Sequence, residues 1–386
     1  MLRLFSTLML TLFFNSAIAI TAEQLPLDIK VGQLIIGCIH GETLSKESEK
    51  LLKESKLGNV IYFNWSNELT SKKKTRALSK QIIKQITTHT KILPLIAIDQ
   101  EGGRIERLKG EFSHFPGNGA LGELNDPSFA YKTAALMGKE MSDVGINLNL
   151  APVVDVNSNP NNPVINNRSF SDQPEKVITL GQKMIDGFHQ GGVLTTLKHF
   201  PGHGDTSIDS HTGLPLITKS IKELERVELA PFKALHSSTD AIMTAHIVVS
   251  SLDSQPATLS KIILQDLLRE KWGFKGVIIS DSMVMRGISK NQSSFEKAAQ
   301  CVSERTVEAF LAGCDMIIVS RLEWADFVPT PAQDSKLIAR VITHLKEKVL
   351  DGTIPEECLN ASVNRILAMK QSLDAQRPKQ PFQKNS

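Results

Sequence analysis

The densest group of reactive side chains in this sequence lies in one glycine- and proline-rich segment, KHFPGHGDTSIDSHTGLP, at residues 198–215. Loops of this kind, held by a rigid scaffold, often carry function. One interpretation is a metal site, whose imidazole and carboxylate ligands would be His199, His203, Asp205 and His211. The other is acid/base chemistry, in which the Asp209 carboxylate orients the His211 imidazole for proton donation. The composition of the segment leaves both interpretations open.

Polar side chains also end several short apolar runs elsewhere in the chain. Between the third and the seventh run these residues are Asp99, Asp155, Lys198, His199, His246 and Asp281. A single aspartate at a strand end often caps the next helix, but a repeated pattern indicates convergence on one mouth of a barrel. Asp155 precedes a loop rich in Asn and Pro, and we expect it to have a structural hydrogen-bonding role.

Eight apolar runs alternate with amphipathic stretches, of which 45–56, 128–145 and 221–238 are examples. The runs are mostly continuous, as expected of strands buried on both faces; they lie at 30–38, 58–64, 93–100, 146–155, 193–200, 241–249, 276–281 and 314–321. The pattern predicts an α/β fold, namely a single-domain (β/α)8 barrel of the TIM type. An open doubly wound sheet is the alternative. No G-x-G-x-x-G string follows the first run, which argues against its dinucleotide-binding form.

The two ends of the chain differ in composition from the rest. Residues 1–19 combine Arg3, an apolar run too short to span a bilayer comfortably and an A-x-A pattern that ends at Ala19. This pattern is typical of a secretory signal peptide, so we expect a periplasmic or secreted protein. Residues 20–372 would form the barrel. The tail at 373–386 lacks apolar periodicity, and we expect it to be disordered.

The overall charge argues against nucleic-acid and membrane partners, and the cysteine spacing argues against a C-x-x-C site. The formal net charge is +3, which is too small to indicate nucleic acid or a membrane surface as a partner. We expect neither partner, and we expect a monomer. The cysteines show no C-x-x-C spacing and are expected to be mostly buried free thiols; they are Cys38, Cys301, Cys314 and Cys358.

The sequence resembles glycoside hydrolase family 3, specifically its β-N-acetylhexosaminidase branch. The matching strings follow the family order within residues 25–370; they are IDQEGGRIERL (98–108), APVVDVN (151–157), NRSF (167–170), KHFPGHGDTSIDSHTGLP (198–215) and GFKGVIISDSMVM (273–285). The family fold is a (β/α)8 barrel, in agreement with the eight runs. The resemblance implies a retaining exo-β-N-acetylglucosaminidase that acts on peptidoglycan fragments or chitooligosaccharides and needs no metal or other cofactor.

The resemblance also implies a role for each matching residue. Asp281 matches the nucleophile, which would form a covalent glycosyl-enzyme. His211 matches the general acid/base, and Asp209 matches its dyad partner. The terminal sugar would be held by Asp99, Arg107, Arg168, Lys198 and His199. On this interpretation His203 and Asp205 shape the loop and bind no metal.

One departure and three alternatives accompany the resemblance. Ser282 follows the expected nucleophile, whereas many relatives have a second aspartate there. A phosphorylase of the same fold would use phosphate instead of water in the second step and would form a sugar 1-phosphate. A metal-dependent hydrolase built on the histidines would lose activity with a chelator. A sugar-binding protein without catalysis is disfavoured because the nucleophile and the histidine dyad are both present.

Overall fold

A computed structural model describes residues 20–210, 213–289, 292–322 and 329–376. Its centre is a ring of eight parallel strands, which are β1 (Ile35–Cys38), β2 (Asn59–Tyr62), β3 (Leu95–Ile98), β4 (Leu148–Asn149), β5 (Leu194–Phe200), β6 (Ala241–Thr244), β7 (Val277–Ile279) and β8 (Ile317–Val319). Strand β8 pairs with β1, and a bridge between Ile279 and Met316 closes the ring. The predicted (β/α)8 barrel is confirmed, and each predicted run contains one barrel strand.

The helices surround the ring and cover its apolar outer face. They are α1 (Leu27–Gln33), α2 (Lys46–Glu54), α3 (Lys72–Thr90), α4 (Asn118–Leu124), α5 (Pro127–Asp143), α6 (Pro174–Gln190), α7 (Ile221–Arg226), α8 (Ala230–Leu235), α9 (Arg286–Ser289), α10 (Phe295–Ala312), α11 (Pro331–Leu350) and α12 (Glu356–Gln376), with a π-helix at Ile262–Lys271. Local chemistry determines several helix starts. Thr330 and Gln333 form a capping box at the start of α11, and proline occupies the first turn of α5, α6 and α11.

Three predicted elements are wrong in their bounds. The run at 30–38 begins as helix α1, because an apolar run alone does not distinguish a short buried helix from a strand. The stretch at 221–238 is two helices, separated where the buried carboxylate of Glu228 pairs with Lys219. The run at 241–249 leaves the barrel after Thr244, and Val248–Val249 pairs with Leu216–Ile217 in a small outer sheet.

The chain ends and the cysteines are the remaining features for which the sequence makes predictions. Helix α12 continues to Gln376, so the tail predicted from residue 373 begins at least four residues too early. The predicted signal peptide and residues 377–386 lie outside the described residues. In the described ranges, no helix has the length and apolarity needed to cross a membrane. All four cysteines are free; Cys38 and Cys314 are buried, and Cys358 is exposed.

The long loop after β5 is held by close backbone contacts with two other loops. A Cβ atom at Gly204 would lie 1.6 Å from the carbonyl oxygen of Val156 in the loop after β4. The N–H of Gly287, at the start of α9, donates to the carbonyl of Ser210 over 3.0 Å, and a Cβ there would lie 2.8 Å from that oxygen. Only glycine permits approaches this close.

A buried lysine lies at the amino-terminal end of the barrel. The Nζ atom of Lys370, on α12, donates to Oε1 of Gln33 over 2.6 Å and to the carbonyl of Gly58 over 3.4 Å. Burial lowers the pKa of Lys370 to about 7. The protonated side chain is therefore unfavourable in the folded state, because few polar groups replace the lost water.

Lys370 should make stability depend on pH. The pKa of Lys370 is lower in the folded chain than in the unfolded chain, so between about pH 7 and 10 the unfolded chain binds one more proton. The free energy of unfolding should then rise with pH across this window, by at most about 1.4 kcal/mol per unit. Urea unfolding at pH 7 and 9 should show this gain for the wild type and for the exposed control Lys50→Met. Lys370→Met should lack it; parallel pH profiles for wild type and Lys370→Met would contradict the assignment.

Candidate active site

A cavity of about 340 Å³ opens at the carboxyl ends of the strands. Its volume lies within the range of small-molecule sites. Six residues predicted from the sequence line it together, namely Asp99, Arg107, Arg168, Lys198, His199 and Asp281. They come from the ends of β3, β5 and β7 and from the loops after β3 and β4. The convergence expected of strand ends in a barrel is thus observed.

The sugar-binding candidates form one continuous set of ion pairs, which we call the charge chain: Arg107, Asp99, Lys198, Glu101 and Arg168. Lys198 is the central member, and its Nζ lies 2.8 Å from Oδ1 of Asp99 and 2.7 Å from Oε1 of Glu101. At the ends, Arg107 lies 3.3 Å from Asp99, and Arg168 binds Glu101 through two nitrogens at 2.7 and 2.8 Å. Two cations at the ends and one in the middle therefore share two carboxylates.

Glu101 was missed by the sequence reasoning, although its side chain is almost completely buried. A signal was present, because Asp99 and Glu101 are two residues apart just after a strand, and extended backbone places such residues on one side. The intervening residue, Gln100, has a different task. Its Oε1 accepts hydrogen bonds from the backbone N–H groups of Arg107 and Leu108, which holds the loop that carries Arg107.

The charge chain keeps its members ionised. Burial would raise the pKa of Glu101, but the charges of Arg168 and Lys198 outweigh it and hold the pKa well below the usual range. The same balance of burial against Lys198 and Arg107 lowers the pKa of Asp99. Burial would lower the pKa of Lys198, yet Asp99 and Glu101 raise it. The donors are therefore cationic near neutral pH, and each of them contacts a carboxylate of the protein.

Asp155 positions His199. One carboxylate oxygen lies 2.7 Å from Nδ1 of His199, and the backbone N–H groups of His199 and His203 donate to the other at 3.1 and 2.7 Å. Nη2 of Arg168 lies 3.4 Å from Nε2 of His199. Because arginine only donates, Nε2 accepts and the proton resides on Nδ1, which donates to Asp155. The structural hydrogen-bonding role expected for Asp155 fits these contacts.

The expected nucleophile follows β7. Oδ1 of Asp281 accepts a hydrogen bond from the backbone N–H of Ser282 over 2.7 Å. The Ser282 hydroxyl lies 2.6 Å from that of Ser320, which follows β8. Buried His246 donates from Nε2 to the carbonyl of Ser282 over 3.0 Å, since a carbonyl only accepts. Both contacts restrain the backbone beside Asp281, which gives His246 a positioning role that the sequence did not reveal.

The loop after β5 is described on both sides of His211, but His211 itself lies outside the described residues. The carbonyl of Asp209 accepts from the N–H of Gly213 over 3.0 Å, and Ser210 lines the cavity. Nδ1 and Nε2 of His203 lie 2.8 Å from the hydroxyl of Thr206 and 3.3 Å from that of Ser210. Asp205 pairs with Lys219 at 3.0 Å. These contacts fit loop shaping by His203 and Asp205, and burial lowers the pKa of His203 to about 4.

Aromatic side chains of the loop after β2 form another part of the cavity wall that was not predicted. The rings of Phe63 and Trp65 stack, with centroids 4.9 Å apart. The guanidinium of Arg107 lies 5.9 Å from the Phe63 ring, and that of Arg321 lies 5.5 Å from the Trp65 ring. A tryptophan in the polar stretch that follows the second apolar run was the available signal, because such exposed aromatics often contact ligands.

The chain is similar to a known protein family and to beta-hexosaminidases from other organisms. Residues 26–369 match the family described as glycosyl hydrolase family 3 N terminal domain. Beta-hexosaminidase A of Pseudoalteromonas piscicida is 36% identical over 350 residues, which cover 86% of this chain and 56% of that protein. A beta-hexosaminidase of Tolumonas auensis is 37% identical over 284 residues, which cover 72% of this chain and 80% of that protein. The chain thus spans little more than half the length of the first relative.

Solved structures have the same fold. A glycoside hydrolase family 3 beta-N-acetylglucosaminidase from Paenibacillus sp. str. FPU-7 superposes with a TM-score of 0.80 at 38% identity, over 94% of this chain and 66% of that one. Beta-N-acetylhexosaminidase from Beutenbergia cavernae gives a TM-score of 0.76 at 28% identity, over 90% of this chain and 99% of that one. On this evidence, the chain belongs to glycosyl hydrolase family 3.

Proposed function

We propose that this protein is a retaining exo-β-N-acetylglucosaminidase. One observation carries the proposal: the Asp281 carboxylate lines the same cavity as a set of cationic donors that are each already paired with a carboxylate of the chain. Such a cavity suits a neutral sugar that a carboxylate attacks at its anomeric carbon. The volume of about 340 Å³ suits a single terminal sugar better than a long segment of chain. The activities named for the relatives point to N-acetylglucosamine as that sugar.

The donors in the cavity are suited to recognise hydroxyl and acetamido oxygens. Lys198, Arg107 and Arg168 each contact a carboxylate of the chain and therefore need no anionic group from the substrate. Charge-assisted hydrogen bonds from such groups are stronger than neutral ones. His199, with its tautomer determined by Asp155, adds a ring that is held in one orientation.

The reaction would proceed in two steps. Asp281 would attack the anomeric carbon while His211 protonates the leaving oxygen, and the product of this step is a glycosyl ester of Asp281. His211 would then take a proton from water, which attacks the same carbon and releases the carboxylate. The role of His211 rests on the resemblance, supported by the position of its neighbour Ser210 in the cavity wall. Peptidoglycan fragments and chitooligosaccharides are the proposed substrates, and export by residues 1–19 stays a prediction.

Hydrolysis of three chromogenic substrates tests the proposal directly. We expect the β-N-acetylglucosaminide to be cleaved, and the β-glucoside and β-xyloside to be cleaved far more slowly. Asp281→Asn should lose roughly 10³-fold or more in kcat on the preferred substrate while it keeps its thermal stability, because the covalent step needs a charged carboxylate. Near-normal turnover in this variant would refute Asp281 as nucleophile. Sugar 1-phosphate as the main product in phosphate buffer would show that the enzyme is a phosphorylase and not a hydrolase.

The His211→Ala variant tests the acid/base role. A nitrophenolate leaving group needs little protonation, so the first step should slow far more for a natural disaccharide than for the aryl glycoside. The second step has no leaving group to protonate, and the glycosyl-enzyme should accumulate, which gives a burst of phenol and a lowered KM. Azide should partly restore turnover, since it needs no general base. Asp209→Ala should show a weaker form of the pattern; equal losses on both substrates without azide rescue would count against the role.

Glu101 should matter for sugar binding as well as for stability. Glu101→Gln removes the charge shared by Lys198 and Arg168 and should cost about 3–5 kcal/mol of unfolding free energy, as expected when a buried ion pair loses one partner. Lys198 and Arg168 would lose the carboxylate that holds them in place. We therefore expect kcat/KM to fall by roughly 10²-fold, mainly through KM. Glu106→Gln is the matched control, because Glu106 is a buried carboxylate of the same loop that does not line the cavity. Equal kcat/KM losses in both variants would reduce Glu101 to a structural residue.

A further inference from the structure

Three side chains of types that can bind metals lie close together beside the aromatic wall of the cavity. They are Cys38, the last residue of β1, His40, two residues later, and Asp334, in the first turn of α11. One ligand atom from each residue lies within 4.8 Å of the other two. The group is separate from Asp281 and from the histidines after β5. None of the three residues lies in a motif on which the family resemblance rests.

Burial leaves part of this group without a partner. Cys38 and Asp334 are each 1% exposed. Oδ2 of Asp334 lies 2.9 Å from Nε2 of His40, but Oδ1 of the same carboxylate is buried and has no hydrogen-bond partner in the described ranges. A buried carboxylate oxygen without a partner is unfavourable, because nothing replaces the water it lost. A bound cation would satisfy it.

The ligand set indicates the kind of cation. Thiolate, imidazole and carboxylate are all zinc ligands, with bond lengths of about 2.0–2.3 Å. In a tetrahedral site these lengths place ligand atoms about 3.3–3.7 Å apart, so separations of up to 4.8 Å require side-chain movements of roughly 1 Å. Ca²⁺ and Mg²⁺ prefer oxygen ligands and are disfavoured by Cys38. Three protein ligands would leave a fourth position for water.

Arg321 is a cation close to the group, but it has other partners. Its guanidinium lies 5.5 Å from the Trp65 ring, and Nη2 donates to the carbonyl of Pro329 over 3.1 Å. No hydrogen bond joins Arg321 to Asp334 among the described residues. The arginine therefore does not complete the coordination of the carboxylate. The centroid of the His40 ring lies 5.6 Å from that of Trp65, so His40 contacts a residue of the cavity wall.

We propose that Cys38, His40 and Asp334 bind one Zn²⁺ ion, or another divalent metal that accepts sulfur, nitrogen and oxygen ligands. The ion would replace the His40–Asp334 hydrogen bond and tie β1 to α11, the first and last units of the barrel. It would take no part in hydrolysis. The proposal does not depend on the proposed function, and metal binding is measured without any substrate.

Cobalt spectroscopy tests the site on the full chain. Protein dialysed against a chelator is titrated with Co²⁺, and the near-ultraviolet thiolate-to-cobalt charge-transfer band is recorded. We expect saturation at one Co²⁺ per chain and loss of the band when Zn²⁺ is added. The band requires a cysteine ligand, and the segment of residues 198–215 contains none. Binding to the histidines of that segment would therefore give no such band.

Variants separate the site from other thiols and from unfolding. Cys38→Ser should abolish the band, and His40→Asn and Asp334→Asn should weaken Zn²⁺ binding by about 10²-fold or more in competition with a chromophoric chelator, since even outer partners of metal ligands contribute 10–100-fold. Exposed Cys358→Ser is the matched control and should bind as the wild type does. The His40 side chain is 13% exposed, whereas Cys38 and Asp334 are fully buried, so His40→Asn is informative if Cys38→Ser does not fold. No band in the wild type, an unchanged band in Cys38→Ser, or equal loss in Cys358→Ser would each overturn the proposal.

Discussion

The ammonium group of Lys198 is buried within the barrel mouth, and it is stable there because Asp99 and Glu101 both contact it. An ammonium transferred from water into such a site without partners would lose its proton. Lys198 belongs to β5, whereas the two carboxylates follow β3, with β4 between them. The ion pairs therefore bridge the end of β4. The contacts that satisfy one buried charge also determine where Arg107 and Arg168 present their donors.

The same strand connects these charges to the loop expected to carry the acid/base. His199 follows Lys198 directly, and the carboxylate of Asp155 binds its ring, its N–H and the N–H of His203. Further along, the carbonyl of Ser210 accepts a hydrogen bond from the N–H of Gly287, which lies in helix α9. Because Asp281 lies in the segment between β7 and α9, a backbone hydrogen bond that glycine alone permits joins the segments that carry the proposed nucleophile and the proposed dyad.

Much of the architecture was predictable because parallel barrel strands are continuous apolar runs and their ends carry the polar residues. Asp99, Lys198 and Asp281 were found in this way. The helical start of the run at 30–38 was not, since apolarity without period does not distinguish helix from strand. Glu101 and Trp65 were missed for another reason. The spacing of Glu101 from Asp99 and the place of Trp65 after an apolar run indicate only that these side chains could face the site. Their importance lies in contacts with Lys198, Arg168 and Arg321, which are far away in sequence.

The balance of charge among the sugar-binding candidates and Asp155 bears on how one site could serve both steps of the proposed reaction. With the proton of His199 on Nδ1, the cations Arg107, Lys198 and Arg168 face three carboxylates, Asp99, Glu101 and Asp155. These groups balance each other without Asp281. In the proposed reaction, formation of a glycosyl ester would remove the charge of Asp281 but would leave these ion pairs as they are. On this proposal, the donors would hold the same sugar oxygens before and after Asp281 is neutralised, so that the second step would need no rearrangement of these ion pairs.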